Sequence, residues 1–169
     1  EFRDDLPKTN VGKILRRALR GYDAQNNPLS VARMQALRQL SVVCSRQSKF
    51  EAAVEINALL VSLLREGMGE RDPETISRRL VLASALRSAG RSEEAAAEYL
   101  SAARHIEWVR GEPDIDAATA FDTAGELWLF SLGQPERAID AVEPVIWCAP
   151  PDPAWREARV RAHAVRAQA

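Results

Sequence analysis

A block of small and apolar residues recurs along the chain at one spacing. Leu40, Ser41, Cys44, Ser48 and Ala53 return 42 positions later as Leu82, Ala83, Leu86, Gly90 and Ala95. One period further on, at a spacing of 43, Leu129, Gly133, Ala138 and Val142 take the later places, while Gly125 and Glu126 stand where the Leu-Ala pair would be. A repeat of this length holds two helices and a turn. Because one such pair has too little apolar surface to fold alone, its apolar face must be buried on the pairs beside it.

The middle copy shows the local reasons. In residues 72–107, Asp72 can cap a helix with Pro73 at its first position, and Gly90 can end it in a left-handed turn. Ile76, Leu80, Ala83 and Leu86 form one apolar stripe, and Ala95, Tyr99, Ala102 and Ala103 form the stripe that faces it. The alanines allow a close helix crossing. The first copy departs at Ser48 and Asn57, and the substituted Leu-Ala pair of the third implies a register shift in its first helix.

These positions resemble the tetratricopeptide repeat, whose pattern Leu82, Ala83, Leu86, Gly90, Ala95, Tyr99 and Ala102 satisfy. The lead-in of residues 69–75 and the long spacing are similar to the 42-residue variety of kinesin light chains. The resemblance implies an all-α fold over residues 28–169. It would be a right-handed superhelical array of antiparallel helix pairs, a tetratricopeptide-like solenoid of three repeats and a terminal helix. It also implies a concave groove lined by the first helices. Aligned on the family, the groove positions are Gln35, Arg38, Val42 and Ser45, then Ser77, Leu80, Ser84 and Arg87, then Ala120, Thr123, Leu127 and Phe130. Arginines beside Leu80, Leu127 and Phe130 suit an acidic-hydrophobic peptide, since a guanidinium grips a carboxylate with two hydrogen bonds.

After Trp147, Pro150, Pro151 and Pro153 stop a helix by removing donors and extending their predecessors. A last helix is expected over about 154–167. Its Ala-rich end carries no stop signal, which suggests an array continuing in a longer protein. Uncapped ends of that kind also make a homodimer an expectation.

The remaining composition mostly excludes. No apolar run reaches the length that crosses a bilayer and no leader is recognisable, so a cytoplasmic, non-membrane protein is expected. Cys44 and Cys148 lack any metal or disulfide spacing and read as buried small residues. Trp108, Trp128, Trp147 and Trp155 read as packing residues, and His105 and His163 as lone surface or packing imidazoles with no partner for metal binding or catalysis. No metal is expected. Glu93 and Glu94 suit a helix start, and Arg156, Arg159, Arg161 and Arg166 a solvated face. Net charge is −1, with residues 1–20 at +3 and the rest at −4, a poor match for nucleic acid.

The basic opening stands apart. Residues 1–20 read as a short strand, a loop bounded by Pro7 and Gly12, and a helix carrying Ile14, Leu15, Ala18 and Leu19, followed by a linker over 21–27. The string LPKTNVGKILRRALR, residues 6–20, resembles the C-terminal signature of AMP-forming acyl-CoA synthetases. That resemblance implies that Lys13 is the lysine that reaches an adenylation site and stabilises negative charge there. Gly12 would let the backbone come close. ATP and CoA would be cofactors only with the ligase's other domains, and no cofactor is expected otherwise. The expected function is a non-catalytic protein-protein interaction module joined to a ligase tail. Two alternatives stay open: the C-terminal part of an acyl-CoA synthetase working through Lys13, and an engineered fusion that presents Lys13 for acylation.

Overall fold

The computed structural model describes residues 31–150 and 152–169, which form seven α-helices and no strand. The strand-loop-helix reading of residues 1–20, the linker and Lys13 lie outside the described residues. In chain order the helices are α1 (Val31–Arg46), α2 (Phe50–Met68), α3 (Pro73–Ser88), α4 (Ser92–Arg110), α5 (Ile115–Glu126), α6 (Pro135–Cys148) and α7 (Arg156–Gln168). A π-helical turn, Leu127–Ser131, prolongs α5, and a 3-10 turn, Pro153–Trp155, leads into α7. Each helix packs on the one before and the one after it, and α7 packs in addition on α5.

The 42-residue spacing is a spacing of buried positions. Met34, Ile76 and Ala118 are buried, as are Leu37, Arg79 and Phe121, and Cys44, Leu86 and Trp128. The odd member, Arg79, is tolerated because its guanidinium donates to the Ser101 hydroxyl and lies 3.7 Å from Glu70 and 3.9 Å from Glu98. Aspartates start three of the first-type helices. Asp72 accepts from the Glu74 amide at 2.9 Å, Asp114 from the amides of Asp116 and Ala117 at 2.8 and 3.2 Å, and Asp152 from the Ala154 amide at 2.8 Å.

Each first helix ends in a left-handed residue: Ser48 at φ 55°, Gly90 at φ 77° and Gly133 at φ 62°. The amide beyond it reaches back to close the turn, Lys49 to the Cys44 carbonyl and Arg91 to the Leu86 carbonyl, both at 2.9 Å. In the third copy Gln134 reaches the Trp128 carbonyl at 2.8 Å, across one more residue. The step from 42 to 43 therefore falls after Trp128, where the π-helical turn absorbs one extra residue without disturbing the helix before it.

The departures in the first copy have separate explanations. Asn57 is fully buried and donates to the Ser41 hydroxyl at 2.7 Å and to the Ala53 carbonyl at 2.8 Å. Ser41 and Asn57 replace Ala83 and Tyr99, so the polar residue in the second helix is matched by one in the first. At the same crossing in the third copy, a Cβ on Gly125 would lie 2.6 Å from Val142 Cγ1, so only glycine fits.

Two expectations are corrected. Cys44 is buried but Cys148, on the final turn of α6, is exposed. Trp128 is core and Trp155 half-buried, whereas Trp108 and Trp147 are 60% and 72% exposed. Both lie in the last turn of a second helix, each with an arginine over one face: Arg71 at 3.6 Å from the Trp108 ring and Arg166 at 6.0 Å from the Trp147 ring.

Two substitutions test this account by chemical denaturation. Ser48→Gly should stabilise the protein by about 1 kcal/mol, because a side chain at positive φ is removed. Gly125→Ala should destabilise by about 1–3 kcal/mol despite its better helix propensity, since Val142 cannot yield, and adding Val142→Ala should cost less than the two single changes summed.

Candidate functional site

The residues expected to line a groove lie on α1, α3, α5 and the π-helical turn that prolongs it, and not all of them face away from the core. On α1, Val42 and Ser45 are exposed, but the Ser45 hydroxyl is already spent on the Ser41 carbonyl at 3.0 Å. Arg38 is half-buried, and its guanidinium sits 2.6 Å from Glu74 Oε1, an oxygen that also accepts from Arg78 at 3.1 Å. Arg38 therefore ties α1 to α3 rather than presenting an open cation. On α3, Ser77, Ser84 and Arg87 are exposed and Leu80 half-buried.

These residues border two small clefts of about 280 Å³ each. In the first, Ser77 and Leu80 meet Ile106, Val109 and Arg110 from the end of α4 and Asp116 from the first turn of α5, a mostly apolar trough with charge at one rim. In the second, Arg87 of α3 faces Glu126, Leu127 and Phe130, with Ser92 and Ser131 at the edges. Arg87 has no ion-pair partner among the described residues. Burial pushes the pKa of the Tyr99 phenol up, and the nearby Arg87 charge opposes this. Phe130, 65% exposed, stands beside Arg87 as an apolar contact.

The third-copy positions need one correction. Because the extra residue follows Trp128 rather than preceding it, the 42-residue spacing runs on through α5 and the residues that correspond to Ser77, Leu80 and Ser84 become Thr119, Asp122 and Glu126. Ala120 and Leu127 belong to the core, Leu127 at 5% exposure, although Leu127 still forms the floor of the Arg87 cleft. Phe130 keeps its correspondence to Arg87 because it lies beyond the insertion, and it is exposed. The signal for this was in the sequence: Cys44, Leu86 and Trp128 are spaced 42 and 42, while Gly90 and Gly133 are spaced 43.

Asp122 is the unusual member. It is 1% exposed, covered where α7 packs on α5, and neither carboxylate oxygen has a hydrogen-bond partner. Desolvation pushes its pKa up to about 7, against the opposing pull of Arg161 and with a smaller push from Glu126.

A larger cleft of about 680 Å³ opens between the second helices α4 and α6. Arg104, His105, Glu107 and Asp140 are on its walls, and Arg137 lies 4.0 Å from the ring of buried Trp128. Burial, then the nearby Asp114, raises the Glu107 carboxyl above its ordinary range. Sequence reasoning singled out only His105 and Trp128 of this group, because the others become neighbours only when α4 and α6 pack on either side of α5. Among the described residues no three His, Cys, Asp or Glu side chains stand close enough to hold a metal, and no helix is long and apolar enough to cross a membrane.

No protein-family model matches the chain. A stretch of 28 residues is 68% identical to a long-chain-fatty-acid–CoA ligase of Haemophilus influenzae, covering 17% of this chain and 5% of the ligase. The match supports a ligase segment in the chain, which spans about one twentieth of that relative's length.

Phe130→Ser should leave stability within about 0.5 kcal/mol, since the ring is mostly in water, whereas Leu127→Ala should cost about 2–4 kcal/mol. Thermal melts of both variants separate the exposed wall of the Arg87 cleft from its buried floor.

Proposed function

We propose that the described helices form a tetratricopeptide-type array and that its first-helix face binds a peptide or protein segment. The 42-residue spacing of buried positions, the aspartate caps and the left-handed turns support the array. The observation that carries the binding reading is the cleft in which unpaired Arg87 stands beside exposed Phe130. A guanidinium next to an apolar wall suits an acidic-hydrophobic segment, the carboxylate on Arg87 and an aliphatic or aromatic side chain against Phe130. Glu126 across the cleft repels a carboxylate placed anywhere but on the Arg87 side, which adds selectivity. Arg38, already neutralised by Glu74, contributes to the face as a brace between α1 and α3.

A second reading is favoured by the 28-residue match to a fatty-acid–CoA ligase. On it, the opening segment is the end of an adenylating enzyme, Lys13 completes a site that other domains supply with ATP and CoA, and the helices recruit a partner to that enzyme. The engineered-fusion reading would instead leave Lys13 as an acylation target.

Fluorescence anisotropy of the full chain with short peptides pairing Asp or Glu with Leu or Phe tests the first reading. Arg87→Ala and Phe130→Ala should each weaken binding about tenfold or more, a change of about 1.4 kcal/mol, and Arg38→Ala much less. Equal affinity in the Arg87 variant would refute the groove reading. Acyl-adenylate formed from ATP and a fatty acid by this chain alone would refute its non-catalytic part.

A further inference from the structure

We infer that α7 is a pH-sensitive cover on α5, latched while the Asp122 carboxyl holds its proton and loosened when that carboxyl is ionised. The inference needs only the α5–α7 contact and holds whether or not the first-helix face binds a peptide.

The placement of α7 sets it apart from the earlier first-type helices. Helices α2 and α4 have 19 residues each, but α6 has 14, so the chain turns back about 7.5 Å earlier. That brings α7 onto α5, whereas α5 and α3 have no comparable contact. Ala158, Ala162 and Val165 form its buried stripe, and Val165 Cγ1 would stand 3.4 Å from a Cβ on Gly125. Asp122 lies one turn before Gly125. At the same place in the two earlier copies stand Leu80 and Arg38, an apolar residue and a cation with its own acid partner, either of which needs nothing more.

Asp122 does need something more. Its two oxygens and the Arg161 Nε are all buried without a hydrogen-bond partner. Arg161 attracts the carboxylate but gives its own close contact, 3.1 Å, to Glu157 on the same helix. Glu126, on the next turn of α5, repels it. The charges of α4 and α6 that border α5, namely Arg104, Glu107, Arg137 and Asp140, gather in the cleft on its Phe121 and Trp128 side and are not among the groups that shift Asp122. A neutral carboxyl can be buried there at modest cost, but an ionised one calls for water or a cation. Undocking α7 provides the water.

The sign follows from linkage. Asp122 binds its proton more tightly with α7 docked than with α7 away, where it returns to the ordinary carboxylate range. The open fraction therefore grows as pH rises from about 4 toward 7 and levels off above, once the carboxyl is ionised in both states. Amide hydrogen exchange of the full chain, read as protection factors corrected for the intrinsic base-catalysed rate, tests this between pH 5 and 8. Protection over residues 156–168 should fall by up to about tenfold per pH unit to pH 7 and then flatten, while α2 stays constant. Asp122→Asn should abolish the pH dependence in α7, and Asp122→Leu, which copies the residue at position 80, serves if the amide variant does not fold. His163→Gln in both backgrounds removes the exposed imidazole of α7 as a cause. Constant α7 protection in the natural sequence, or an unchanged fall in the Asp122 variants, would overturn the latch.

Discussion

Close approach of each first helix to its following second helix is the constraint on which the remaining packing depends. It is met at one position in three ways: Ser41 hydrogen-bonds Asn57, Ala83 has no polar group to satisfy, and Gly125 leaves just enough room for Val142. With a small residue there, the alanines at 53, 95 and 138 can be fully buried, and Leu37, Ile56 and Leu60 of the first pair are buried as well. A larger side chain at any of the three would separate its pair and expose the apolar surface that the next pair covers.

Charge is arranged around that packing rather than within it. Arg38 with Glu74, Arg91 with Glu51, and Arg137 with Glu93 join corresponding helices of neighbouring pairs, α1 to α3, α2 to α4 and α4 to α6, across exposed or half-buried surfaces, where each ion pair adds little stability but holds orientation. Two groups fall outside the scheme. Arg87 has no ion-pair partner among the described residues and lines a cleft with Phe130. Asp122 has no hydrogen-bond donor among the described residues and lies on α5, the helix on which α7 packs.

The single extra residue of the third copy shows how an insertion is accommodated without loss of the core. The π-helical turn takes it up after Trp128, so every buried position before it keeps its place while Gly133 still ends the helix. The 43-residue spacing of the glycines is legible in the sequence, but it does not hold within the helix before them, where the 42-residue spacing continues and Leu127 belongs to the core. The place of an insertion within a helix depends on which hydrogen bonds the turn keeps, and the Gln134 bond to Trp128 settled it.

Taken by itself, the amino-acid sequence determined the helices, their caps and turns, and most of the buried positions, because aspartate caps, left-handed glycines and apolar stripes act within a few residues of one another. It also carried the ligase-like opening, which the 28-residue match supports. Tertiary structure alone decided which polar groups were spent and which stayed free. Arg38 and Arg87 look alike along the chain, yet one pairs with Glu74 and the other has no ion-pair partner among the described residues. Exposure of Trp108 and Trp147 and burial of Asp122 were settled the same way, by where helices end and what crosses them: the five residues missing from α6 bring α7 onto α5. Such meetings join residues some 36 to 40 positions apart, and no local preference encodes them.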